Sequence, residues 1–161
     1  MTAPAADDER FMRAALEQAR LAALAGEVPV GAVAVVNGRI VAAGRNRVEE
    51  RRSVSAHAEF EVVRLLEESR GDWRMSDVDV YVTKEPCPMC AGMLVNCRVR
   101  RIVFGVADPA GGGCGGALDV TGFPTLLWHP EVTGGMLADE ARELLREFFR
   151  GRRIEKKPRN E

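Results

Sequence analysis

The chain lacks the features that would place it in a membrane or an export route. No apolar run approaches the roughly 20 residues that span a bilayer. Its opening, Met1-Thr2-Ala3-Pro4-Ala5-Ala6-Asp7-Asp8, carries acids where a secretory signal needs positive charge. It has no excess of one charge: 23 basic residues face 24 acidic ones, a net of −1, so the whole molecule is not a polycation that binds nucleic acid by bulk attraction. It has no internal repeat and no long linker, and its 161 residues read as one domain, with about 1–7 and 152–161 as flexible flanks. A glycine-rich stretch at 111–116 lacks the lysine of a phosphate loop. Cysteine is sparse at four residues, too few for a disulfide framework and in keeping with a reducing, cytoplasmic location. Histidine is sparser still, at two.

What is present is concentrated. One histidine stands in His57-Ala58-Glu59, and two cysteines stand in Pro86-Cys87-Pro88-Met89-Cys90. His57, Cys87 and Cys90 are three good zinc ligands, one short of the four that close a structural site. A fourth position left to water would give a catalytic centre, because zinc lowers the pKa of water to about 7. Glu59 is the nearby acid that could move protons without binding metal. Other readings exist: a redox Cys-x-x-Cys pair, or a four-cysteine structural site completed by Cys97 and Cys114. The order of elements around Cys87 is not that of a redox domain. The spacing of Cys97 and Cys114 is irregular, so the two are better read as small apolar fillers or loop residues.

Periodicity supplies the frame. Phe11, Ala15, Ala19 and Ala22 recur at helical spacing after Asp7 or Asp8 as cap, with Gly26 as a stop. The apolar run 30–36 and the run 39–44 are joined by Asn37-Gly38, a strong hairpin signal. A helix is expected from about His57 to Ser69 with Ala58, Val62, Leu65 and Leu66 as its stripe, a strand over 78–83, and a short helix from Pro88 to Asn96. A strand over 101–105 and a last helix over 137–150, burying Leu137, Ala141, Leu144, Leu145 and Phe148, complete an α/β order. Cys87 and Cys90, at i and i+3, place their sulfurs on one face. Two helix N-termini in one pocket would favour thiolates. Glu59 poses a difficulty: two residues along a regular helix is a turn of about 200°, away from His57. It reaches the metal side only if His57-Ala58-Glu59 is the irregular first turn of the helix; otherwise it is a surface acid.

Two basic clusters offer phosphate contacts: eight basic against three acidic residues between Arg142 and Arg159, and the group Arg98, Arg100, Arg101. A solvated helix face explains them equally well.

The residues quoted, together with Glu27-Val28-Pro29-Val30-Gly31-Ala32-Val33, Asn46, Tyr81-Val82-Thr83, Asp108, and Gly135 to Glu140 through Phe148-Phe149-Arg150, make the chain resemble the zinc-dependent cytidine/deoxycytidylate deaminase superfamily. Within it the resemblance is to the bacterial tRNA-specific adenosine deaminases. It implies a cytidine deaminase-like three-layer α/β/α sandwich with a mixed five-stranded sheet, one Zn2+ per chain on His57, Cys87 and Cys90, and Glu59 as proton shuttle. It further implies that Asn46 and the Ala58 N–H orient the base, that Asp108 lies near the ribose, that tRNA is the partner, and that the chain forms a homodimer. The chain departs from the family's pattern at Lys84, usually leucine, at Val106–Ala110, which lacks basic residues, at Gly112–Gly116, and at Leu126-Leu127-Trp128-His129. These departures sustain an alternative, deamination of a free guanine, cytosine or adenosine, with Trp128 walling a small pocket. A further alternative is a non-catalytic RNA-binding scaffold.

Overall fold

The computed structural model describes residues 5–156. Helix α1 (Asp8–Leu24) leads into strands β1 (Gly31–Val36) and β2 (Arg39–Arg45). Asn37 and Gly38 both take positive φ, 49° and 74°, as the tight turn between the strands requires. A short helix α2 (Val48–Arg51) precedes α3 (Ala58–Arg70), β3 (Asp79–Lys84), α4 (Pro88–Asn96) and β4 (Arg101–Val106). Strand β5 (Glu131–Thr133) and helix α5 (Ala138–Lys156) close the order. The five-stranded sheet runs β2-β1-β3-β4-β5. The β1 pairings with β2 and β3 are antiparallel, and the β3–β4 and β4–β5 pairings parallel, so the sheet is mixed.

Alternation along the strands builds the layers. Ala32, Ala34, Val80, Val82, Ile102 and Phe104 face α3 and α4, packing on Ala58, Val62, Leu66 and Leu94. Val33, Val35, Tyr81 and Val103 face the other way, onto Phe11, Met12 and Ala15 of α1. Helix α5 joins that second face through Ala141 beside Leu16 and Val106. Helices on both faces of a mixed sheet make an α/β fold in three layers.

Two elements escape the sequence reading. Helix α2 has four residues and β5 three, too short for any period to register. Three expectations need correction. Leu65 is not on the packed stripe but exposed, since Ala58, Val62 and Leu66 at intervals of four already fill it. The last helix continues past 150 to Lys156, so residues 152–156, expected as part of a flexible flank, are helical; 1–4 and 157–161 lie outside the described residues. Neither Asp7 nor Asp8 caps α1 through its side chain.

Asp8 instead turns inward. Its carboxylate accepts hydrogen bonds from Arg101 at 2.9 and 2.7 Å and from the Tyr81 hydroxyl at 2.7 Å, and Arg101 also donates to Thr133 Oγ1 at 3.0 Å. Arg100 makes a paired contact with Asp79 at 2.8 and 2.9 Å. The second basic cluster is therefore largely a set of intramolecular clamps at the start of β4, not a phosphate-binding patch. Burial pushes the Asp8 pKa up, but the hydrogen bonds from Arg101, Tyr81 and the Ala5 N–H outweigh it and hold the group below its usual value of 3.8. Its contribution to stability is thus full above that value and fades as pH falls through the depressed one. Arg101→Met, which leaves the Asp8 charge buried without its partner, is expected to cost about 3–5 kcal/mol. Urea unfolding at neutral pH measures this, and the paired change Asp8→Asn with Arg101→Met should recover much of it.

Candidate metal centre and active site

Parallel pairing of β3 and β4 through α4 sends the N-terminus of α4 to the carboxyl end of β3, the usual place for a site in an α/β sheet. Cys87 is the N-cap residue of α4 and Pro88 opens its first turn. His57 is the N-cap residue of α3, with φ −74° and ψ 154°, outside the helical region. This extended residue resolves the angular difficulty at Glu59. The regular turns begin at Ala58, so His57 and Glu59 are not bound by the 100° step and can face one cavity.

The three ligand atoms lie within 4.8 Å of one another. His57 Nδ1 is 3.7 Å from Cys87 Sγ and 3.3 Å from Cys90 Sγ. A tetrahedral zinc with bonds of about 2.3 Å to sulfur and about 2.05 Å to nitrogen sets such separations near about 3.6 Å. The donor set and spacing fit the ion. Cys97 and Cys114 are buried elsewhere, Cys97 donating toward the Leu94 carbonyl and Cys114 held in the 111–116 loop. A four-cysteine site is not what the fold assembles. The second histidine, His129, lies 3.0 Å from the Thr121 carbonyl, apart from this group.

Electrostatics follow from the crowding. A hydrogen bond from Cys90 and, after the opposing effect of burial, one from His57 hold the Cys87 thiol down to about 4. Cys90 is pushed strongly upward by its bond to Cys87 and by burial. The hydrogen bond to Cys87 raises His57. Glu59, 3% exposed, is raised chiefly by burial, which gives it a stronger hold on a proton than a surface acid has.

His57, Ala58, Glu59 and Cys87 open onto a cavity of 530 Å³, also walled by Glu27, Val28, Asn46 and Lys84. Asn46, 9% exposed, is held by Nδ2 donating to the Val28 carbonyl at 3.4 Å and Oδ1 accepting from the Val48 N–H at 3.3 Å. Asp108 stands off this wall: Oδ2 pairs with Lys84 Nζ at 2.9 Å, and Oδ1 accepts from the Ala110 and Gly111 N–H groups. That pairing with Lys84 holds its pKa below the ordinary value. Lys84, and not Asp108, lines the cavity on that side.

The part of the wall contributed by α5 was not assigned from sequence. Phe148, Phe149 and Arg152 of α5 line the cavity, and Arg152 donates to the Gly26 carbonyl. Helical periodicity assigned Phe148 to the core, because it cannot tell a side chain packed on a sheet from one that lines a cavity. Trp128 is absent from the wall: its Nε1 donates to the Val99 carbonyl at 2.7 Å. Glu85 organises the neighbouring loop by accepting from the N–H groups of Asp108, Cys114 and Gly116 at 2.9–3.0 Å. A Cβ at Gly112 would fall 2.0 Å from its carboxylate, which explains a glycine there.

Comparison with known proteins bears on this geometry. The family model of the MafB19-like deaminases matches residues 6–153. A tRNA-specific adenosine deaminase of Bacillus subtilis is 43% identical over 93% of this chain and 93% of its own length. One from Agrobacterium fabrum is 41% identical over 93% of this chain and 99% of its own. A solved structure from work on A-to-I editing by tRNA:A34 deaminases at the wobble position of transfer RNA superposes with a TM-score of 0.82 at 41% identity, covering 84% of this chain and 99% of that one. The chain belongs to the MafB19-like deaminase family, within the cytidine deaminase superfamily, and is an enzyme of the deaminase type.

Proposed function

We propose that this deaminase hydrolyses adenosine to inosine at the wobble position of tRNA, with zinc on His57, Cys87 and Cys90 and Glu59 as proton carrier. The observation that carries the reading is the cluster of those three donors, two of which, His57 and Cys87, open with one buried acid onto a single cavity, in a chain whose relatives bear the tRNA-specific name. Zinc bound there supplies Lewis-acid activation of water at neutral pH. Glu59 takes a proton from the attacking water and delivers it to the leaving amine, so that water and adenosine become inosine and ammonia. The Ala58 N–H and Asn46 hold the base against the acid. Burial of Glu59 suits both halves of its task, since a raised proton affinity makes it a better base and still a competent acid.

RNA reaches the cavity past α5, where Arg146, Arg150 and Arg153 are exposed on the helix whose Phe148, Phe149 and Arg152 line the cavity. Asp108 acts near the ribose only after exchanging its Lys84 contact. Trp128, engaged with Val99, gives the free-base alternative no support. The described residues act as one domain around one sheet. The partly exposed Phe60, Met89 and Met93 on α3 and α4, with Trp73 nearby, suit the homodimer face. No helix among the described residues is long and apolar enough to cross a membrane, and the four free cysteines accord with a cytoplasmic site of action.

The test is incubation with a tRNA transcript carrying adenosine at the wobble position, read as inosine by sequencing, alongside free adenosine, guanine and cytosine scored for ammonia. Inosine in the transcript and no turnover of the free compounds is expected. Ammonia from a free base with the tRNA unchanged overturns the substrate. Raising salt from 50 to 200 mM should lower kcat/KM for tRNA on the order of tenfold, as about two released phosphate contacts require.

A further inference from the structure

Buried polar atoms in folded proteins are paired, and an exception calls for an explanation. Glu27 is such an exception on the cavity wall. It is 2% exposed; its Oε1 accepts from the Glu49 N–H at 2.7 Å, while its Oε2 has no hydrogen-bond partner among the described residues. The segment around it is braced on both sides. The Gly26 carbonyl receives Arg152 and the Val28 carbonyl receives Asn46, so the backbone that carries Glu27 is fixed against the cavity. The last torsion of a glutamate is broad, and a modest rotation turns an oxygen toward the cavity without moving that backbone. An acceptor held this way matches a donor that arrives with the substrate.

The substrate reading above, on which this inference rests, leaves few donors. In adenosine within an RNA chain the exocyclic amine sits at the reacting carbon. The free ring nitrogens are acceptors, N9 carries the sugar, and the 3′ and 5′ oxygens are esterified. The remaining donor is the ribose 2′-hydroxyl, the group that distinguishes RNA from DNA. Asp108, which the resemblance places near the ribose, is engaged by Lys84 and two backbone N–H groups and does not line the cavity.

We propose that Glu27 accepts a hydrogen bond from the 2′-hydroxyl of the target nucleotide and so selects ribose over deoxyribose at the reacting position. The experiment compares anticodon stem–loop RNAs that differ only in adenosine or 2′-deoxyadenosine at the wobble position, with the full-length zinc-loaded protein. Wild type should favour the ribose form in kcat/KM by about 10- to 100-fold, the range for a hydrogen bond to a charged group. Glu27→Met should bring the two substrates close to parity, and Glu27→Gln, which keeps one oxygen, should fall between. A Met variant that slows both substrates equally and keeps the wild-type ratio overturns the proposal and leaves Glu27 as a brace for Glu49. Equal use of both substrates by wild type overturns it too. Failure of the underlying reading is seen separately, as absence of inosine in the all-ribose loop with wild type, and that result removes both. Zinc content and melting temperature of each variant establish that the fold is intact.

Discussion

Glu59→Gln is expected to lower kcat for tRNA deamination by a factor of about 10²–10⁴, the range for loss of a positioned proton carrier, while zinc stays at one per chain. The side chain is 3% exposed, opens onto the same cavity as His57 and Cys87, and lies two residues past the extended N-cap residue of α3. Glutamine keeps the shape and removes the proton traffic, so packing should survive. Metal analysis beside single-turnover inosine formation separates the outcomes. Loss of turnover with full metal supports the assignment. Turnover within threefold of wild type removes Glu59 from the chemistry, and a parallel loss of metal assigns it to the zinc sphere instead. The non-catalytic scaffold predicts no change in any function.

Cys90→Ala is expected to abolish both zinc binding and activity. The thiol is fully buried, lies 3.3 Å from His57 Nδ1, and cannot be replaced by a neighbour, since Cys97 and Cys114 lie outside the cluster. Two remaining ligands do not hold zinc against buffer, and because binding stabilises only the folded state, the metal's contribution to stability is lost with it. Calorimetry with and without a chelator should show a fall in melting temperature for wild type and none for Cys90→Ala. Cys97→Ala and Cys114→Ala are the controls, expected to keep stoichiometric zinc. Zinc retained by Cys90→Ala but lost from either control would reverse the choice of ligands and revive a structural site.

The contrast between Cys90 and Asp8 shows where sequence reasoning stops. Cys87 and Cys90 are three apart on one short helix, and His57 heads another, so local geometry and donor chemistry make the ligand set legible before any coordinates. The hairpin at Asn37-Gly38, the helix Pro88–Asn96 and the apolar runs of β1, β3 and β4 are legible for the same reason, since each is written in residues close along the chain. Asp8 and Arg101 are 93 residues apart, and nothing local distinguishes a helix cap or a phosphate-binding arginine from two halves of a buried pair. The same holds for Lys84 with Asp108, for the free oxygen of Glu27, and for Phe148 on the cavity wall rather than in the core. By itself the sequence determined the longer elements and the candidate metal donors, because those depend on spacing along one segment. Only the tertiary structure decided which charges neutralise each other and which side chains wall the cavity, because those depend on segments brought together by the sheet.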